Sequence, residues 1–182
     1  MKIERIDDLS QLDDFFCGMS LFDDFIHSRN FTLSVEKNFC VPYKYVEDDK
    51  IIAFFALSCG SLPLDNDYLD DFLSNCSISE EIDIPYEYIE ILKGKNNYPA
   101  IDIAYFAVHK DYQGKHIGKH LLSEIEDFIK TDFKFAGCQF LIVDAYYTQV
   151  YSTTNFYSKC NFTMCEMPSA GKDTVLMYKW LL

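Results

Sequence analysis

The chain has 182 residues, 49% of them hydrophobic, which is the size of one domain with ample material for a core. No apolar run reaches the ~20 residues a membrane span needs, so no membrane partner is expected. Sixteen Lys and Arg against 29 Asp and Glu leave a net charge of −13, which argues against nucleic acid as a partner, because counterion release needs clustered basic residues.

That charge leaves room for a small anionic ligand. The seven cysteines show no Cys-x-x-Cys pair and no zinc-like spacing, so they read as small core side chains in a reducing compartment, with no metal. The opening Met1-Lys2-Ile3-Glu4-Arg5 carries no apolar signal region, and the expected location is the cytoplasm.

Apolar residues at helical spacing predict helices over 9–16 and 21–33, joined by Cys17-Gly18-Met19-Ser20. Ser20 is the expected N-cap of the second, with Asp23 in its first turn. Two β-rich runs, 43–47 and 51–61, surround Asp48-Asp49-Lys50 and predict a hairpin. Residues 64–97 are mixed and acidic, predicting short helices in an insertion over one edge of a single 1–182 domain.

Residues 99–108 form an apolar run suited to a strand covered on both faces. It stops at a short polar turn, and a helical pattern follows over 116–130, with Ile117, Leu121, Leu122, Ile125 and Phe128 inward. Strand, glycine-bearing turn and helix N-terminus together make an anion clamp. The first N–H groups of a helix lack intrahelical partners, its dipole favours negative charge, and glycine admits close approach. The clamp spans Gln113, Gly114, Lys115, His116, Ile117, Gly118 and Lys119. Lys110, Lys115, Lys119, Lys130 and Lys134 make the neighbourhood locally basic. His116, His120 and Glu124 share one helical face and read as a solvated surface.

A further strand is predicted over 140–145, a helix over 150–160 and last strands over 162–164 and 174–182. The order predicts an α/β (α+β) fold: one mixed, mainly antiparallel sheet flanked by helices, with the clamp at the carboxyl end of a strand.

Two stretches resemble signatures of the GNAT superfamily of acyl-CoA-dependent N-acyltransferases. Phe106-Ala107-Val108, then Gln113-Gly114-Lys115-His116-Ile117-Gly118, is similar to the family's phosphate turn, Gln/Arg-x-x-Gly-x-Gly/Ala after an apolar strand. Phe156-Tyr157-Ser158-Lys159-Cys160-Asn161-Phe162 is similar to its Phe-Tyr helix followed by Lys-x-Gly-Phe. Phe16-Cys17-Gly18-Met19 with Leu21-Phe22-Asp23-Asp24-Phe25-Ile26 resembles the opening of a subgroup containing toxins of toxin–antitoxin pairs that acetylate aminoacyl-tRNA. Three positions depart from the pattern: His116 and Asn161 stand where glycine is usual, and Val150 where many relatives carry Asn near the cofactor.

The resemblance implies an N-acetyltransferase that uses acetyl-CoA as co-substrate and acts by direct attack of a primary amine, of a small molecule or a protein, on the thioester. It implies that the backbone of Phe106, Ala107 and Val108 pairs with pantetheine as an added strand and that amides 113–119 hold the pyrophosphate. Tyr157 matches the tyrosine that protonates the leaving thiolate. Asp102 lies where some relatives place a glutamate base, and a carboxylate in an apolar strand is expected to have a raised pKa; Asp144 is a rival. The acidic 64–97 segment would attract a cationic amine. Two other readings stay open, a toxin-like enzyme acting on aminoacyl-tRNA and a non-catalytic acyl-CoA-binding module, and a homodimer is possible.

Overall fold

The computed structural model describes residues 1–64, 69–70, 73, 84–132, 137–165 and 173–181. Seven strands form one mixed sheet: β1 (Lys2–Arg5), β2 (Val41–Glu47), β3 (Lys50–Pro63), β4 (Asn97–Val108), β5 (Phe140–Tyr146), β6 (Thr163–Met164) and β7 (Thr174–Trp180). Their spatial order is β1-β2-β3-β4-β5-β7-β6. Every pairing is antiparallel except β4 with β5. The expected mixed, mainly antiparallel sheet with flanking helices is present.

The hairpin between β2 and β3 turns through Asp48 and Asp49, both at positive φ, the backbone state that a tight two-residue turn demands. β3 and β4 pair over almost their whole length, with the register slipping between Ala56 and Leu57. Tyr105 faces Ala56 and Ile103 faces Leu57, so Ala104 is the extra residue of a β-bulge. The bulge shifts the alternation: Ile101, Ile103, Phe106 and Val108 pack on one face, Ala104, Tyr105 and Ala107 on the other.

Helices cover both faces. On one, α4 (Ile117–Thr131) lays Ile117, Leu121, Leu122, Ile125 and Ile129 against the sheet, and α5 (Thr154–Ser158) adds Tyr157. On the other, α1 (Ser20–Ile26) and α2 (Arg29–Glu36) bury Ile26 and Phe31 over Phe54, while α3 (Tyr86–Lys93) buries Leu92 beside Tyr98 and Phe140. Burying a side chain of this size is worth ~1.5–3 kcal/mol.

Several local expectations are corrected. Residues 9–16 form only a short 3-10 turn, Leu9–Leu12, capped by Asp8, because the backbone continues with i→i+3 bonds, Asp13 N to Ser10 O and Phe15 N to Leu12 O, in place of an α-helical ladder. Residues 21–33 make two helices, because Ser28 breaks the run by capping α2, its hydroxyl accepting from the Phe31 amide at 3.3 Å. Met19, not Ser20, is the N-cap of α1, and it makes no side-chain bond. Asp23 turns back instead and accepts from the Cys17 and Gly18 amides at 2.8 and 3.0 Å. The helix predicted over 150–160 is confined to Thr154–Ser158, because Thr148 and Tyr151 tie the preceding residues into a turn. β1, with Ile3 flanked by three charged residues, had no strand signal. Residues 65–68, 71–72 and 74–83 of the acidic 64–97 stretch, Lys134 and Leu182 lie outside the described residues; within that stretch, α3 is one helix.

Candidate functional site

The parallel ladder between β4 and β5 is short. Ala100, Ile101 and Asp102 pair with Phe140, Leu141 and Ile142, and pairing then stops although β4 runs on to Val108 and β5 to Tyr146. Beyond that point Phe106, Ala107 and Val108 pair with β3 alone, opposite Phe55, Phe54 and Ala53. Their other edge opens into a wedge between the two strands. An open strand edge presents unpaired N–H and C=O groups that an extended ligand can complete.

The polar turn lies at the end of β4. Gly114 has φ +74° and His116 φ +60°, both left-handed, and His116 is the N-cap of α4 with no side-chain capping bond. The first amides of α4 therefore keep their donors free of any cap, which suits an anion. The left-handed state costs His116 strain that glycine would avoid. Asn161 also adopts a left-handed state, φ +65°, which asparagine tolerates. Gly118 is closely packed: a Cβ there would lie 3.2 Å from Phe156 Cζ, so the ring would have to give by a few tenths of an ångström, and 3.5 Å from Val108 Cγ2, an ordinary contact.

Two side chains of the turn have structural duties that their spacing did not reveal. Gln113 Nε2 donates to Cys17 O at 2.7 Å and to Val108 O at 3.0 Å, tying the N-terminal segment to the end of β4. Lys115 Nζ donates to Asp111 O at 2.8 Å and lies 5.1 Å from the Tyr112 ring centroid, so its charge is drawn back over the turn. On the solvent side of α4, His120 Nδ1 bonds the Tyr45 hydroxyl at 2.9 Å.

Asp102 and Tyr157 flank the wedge from opposite faces. Tyr157 packs with Ile101 and Ile103 on the α4–α5 face, against Phe156 and Phe162. Asp102, between those two isoleucines on β4, points to the other face, where Ser58 Oγ donates to its Oδ2 at 3.1 Å. Gly60 makes space there; a Cβ on it would come 3.3 Å from Asp102 Cβ and 2.9 Å from Ile142 Cδ1. Burial lifts the Asp102 carboxyl to about 6, opposed by the Ser58 bond and reinforced by Asp144. Asp144 lies on β5 with an exposed side chain, and partial burial raises it too. Tyr157 is only 6% exposed, and burial pushes its phenol well above the ordinary tyrosine range, with Tyr151, Cys160 and Asp102 acting in the same direction.

Val150 does not enter the wedge; it is 97% exposed in the turn before α5. Ser58 and Gly60 escaped the reading of the sequence. Their only signal is register, because both face β4 across the β3–β4 pair.

Residues 76–164 match the model of the acetyltransferase (GNAT) domain. No curated protein sequence matches the chain. Three solved structures share its fold over nearly the whole length. AtaTR bound with AcCoA is 17% identical, with a TM-score of 0.64, covering 99% of this chain and 93% of that one. A tyrosine-to-phenylalanine mutant of KacT is 18% identical, with a TM-score of 0.66, covering 99% and 94%. AtaT complexed with acetyl-methionyl-tRNAfMet is 15% identical, with a TM-score of 0.62, covering 98% and 94%. The matched residues lie inside the same mixed sheet, and over nearly its whole length this chain has the GNAT-like fold of these structures.

Proposed function

We propose that this protein is an acetyl-CoA-dependent N-acetyltransferase that acetylates a primary amine of a small molecule or a protein by direct attack. The observation that carries the reading is the wedge where β4 and β5 part, with uncapped amides of α4 at one end and Asp102 and Tyr157 on its two faces. The residues present fit the cofactor. Amides from Gln113 to Lys119 face an anion without a capping side chain, and the free edge of Phe106–Val108 can pair with an extended amide chain.

When bound, acetyl-CoA supplies the activated acetyl group. Asp102, on the α1–α3 face, takes the proton released by the amine, through water because its side chain is short. Its carboxyl at about 6 leaves it mostly ionised at neutral pH. The N–C bond forms as the C–S bond breaks. Tyr157 Oη gives its proton to the departing sulfur; its raised phenol stays protonated until then, and the same dry surroundings raise the proton affinity of the thiolate.

A second reading concerns the acceptor. The net charge argued against nucleic acid, but the comparisons lend that no support, since AtaT, which shares the fold, has been solved with acetyl-methionyl-tRNAfMet. The amine of an aminoacyl-tRNA is a primary amine, and the wedge chemistry is the same for it. A thiol-release assay with acetyl-CoA, a panel of small amines, peptides and aminoacyl-tRNA tests both readings. Turnover with amines alone supports the first and turnover with aminoacyl-tRNA alone the second. Tight coenzyme binding with no turnover marks a non-catalytic module and overturns both.

A further inference from the structure

We infer that the mouth of the wedge, on the face where Asp102 points, selects a primary amine with an aromatic body, the ring held among Phe16, Tyr146 and Tyr151 and the amine directed toward Asp144 and Asp102. The inference rests on the proposed acetyltransferase reading and adds the class of acceptor.

Alternation along β5 places the carboxylates and the first ring. Leu141, Val143 and Ala145 pack into the core on the α4–α5 face, so Ile142, Asp144 and Tyr146 point to the other. Ile142 lies there beside Asp102, since a Cβ on Gly60 would come within 2.9 Å of Ile142 Cδ1 and 3.3 Å of Asp102 Cβ. One face of the wedge thus carries Asp102, then Asp144, then Tyr146 toward the end of β5. Asp144 is near enough to Asp102 to raise its carboxyl. Two carboxylates along one line of approach attract a positive amine and favour no anion.

The N-terminal segment forms the other side of the mouth. The Lys110 amide donates to Phe16 O at 2.9 Å, and Gln113 holds Cys17 O at 2.7 Å, which fixes Phe16 at the end of β4. Because β4 and β5 are parallel, Phe16 and Tyr146 stand at the same end of the sheet, with the wedge between their strands. Tyr151 bridges the two sides. Its ring packs on Tyr146 at 5.9 Å between centroids, and its phenol is within electrostatic reach of both Cys17 and Tyr157. The turn that carries it is braced from within: Thr148 Oγ1 donates to Tyr151 O at 2.8 Å and accepts from the Tyr151 amide at 2.9 Å, and the Thr153 amide donates to Tyr146 O at 2.9 Å.

Exposure is what turns these rings from packing into recognition. Phe16, Tyr146 and Tyr151 are 41%, 36% and 46% exposed, while the same chain buries Phe15, Phe31, Phe54 and Phe55 completely or nearly so. Grouped, exposed and braced rings mark a binding surface. They stack on another ring, and their faces attract a cation. The carboxylates on one side and the rings on the other give the ligand its direction, amine inward and aromatic body at the mouth.

The test is the thiol-release rate of the full chain with acetyl-CoA and either phenethylamine or ethylamine, which differ by the ring alone. Burial of the ring predicts a kcat/KM for phenethylamine about tenfold or more above that for ethylamine. Tyr151→Ala and Phe16→Ala should each shrink this ratio severalfold, through the KM for phenethylamine, with the KM for acetyl-CoA retained. Tyr151→Phe keeps the ring and should keep the ratio. Equal kcat/KM for the two amines in the wild-type protein overturns the inference and leaves the acetyltransferase reading standing. An unchanged ratio in both alanine variants, shown to be folded by circular dichroism, also overturns it. Turnover with no acceptor of any kind overturns the acetyltransferase reading and this inference with it.

Discussion

Ser58 donates a hydrogen bond to Asp102 across the β3–β4 pair, at 3.1 Å, on a carboxylate that is otherwise set among apolar strands. This bond steadies the charged form, while burial opposes it and wins, lifting the carboxyl to about 6. If Asp102 is the base, activity should rise with pH through about 6, and Ser58→Ala should move that rise to higher pH by removing the stabilising donor. A rate–pH profile of kcat/KM for the two proteins checks this. A profile that is flat between pH 5 and 7.5, with the amine fully deprotonatable, would exclude Asp102 from the role.

The same carboxyl makes a stability prediction of definite sign. Its folded-state pKa is above that of an unfolded aspartate, so the native state holds this proton more tightly. The group favours folding most below pH ~3.8 and loses that contribution as pH rises through about 6. The loss amounts to roughly 3 kcal/mol. Asp102→Asn keeps the size and removes the titration. Its stability relative to wild type should therefore improve on going from pH 4 to pH 7.5, measured by urea unfolding at each pH.

Tyr157→Phe keeps the ring that packs against Phe156 and Phe162 and removes only the hydroxyl. Coenzyme affinity and melting temperature should stay near wild type, while kcat should fall about 100-fold or more, the usual range for losing a general acid. An unchanged kcat would reduce this tyrosine to a core aromatic.

His116 supplies a backbone prediction. At φ +60° it occupies a state that glycine reaches freely, so His116→Gly should stabilise the protein by ~0.5–1 kcal/mol in chemical denaturation. His116→Val should destabilise it, because a β-branched residue tolerates positive φ poorly.

Gly118 ties the turn to the wedge. A Cβ there would press on Phe156 at 3.2 Å, so Gly118→Ala should cost a modest amount of stability as the ring gives way. Gly118→Glu adds bulk and negative charge beside the uncapped amides and should abolish coenzyme binding in a calorimetric titration.

How far the sequence carries is visible in these same residues. The strand, turn and helix around Gln113–Gly118 were legible because a run apolar on both faces changes to a 3.6-residue period at a glycine, and Asp102 stood out as a carboxylate inside that run. The bulge at Ala104 and the parting of β4 from β5 were not legible, since neither leaves a mark on composition; both depend on which strands become neighbours. The duties of Ser58, Gly60 and the Gln113 side chain depend on contacts 44, 42 and 96 positions apart in sequence, beyond any local pattern. In the N-terminal segment the apolar period runs on while the backbone does not, because Ser28 starts a new helix by accepting from the Phe31 amide and Asp23 turns back to the Cys17 amide.

A crystal structure with bound coenzyme A tests the central claim most directly. The account predicts the pyrophosphate on the amides between Gln113 and Lys119, the pantetheine along the free edge of Phe106–Val108, and the sulfur within hydrogen-bond reach of Tyr157 Oη. Coenzyme lodged elsewhere on the protein, or a sulfur far from that hydroxyl, would contradict it.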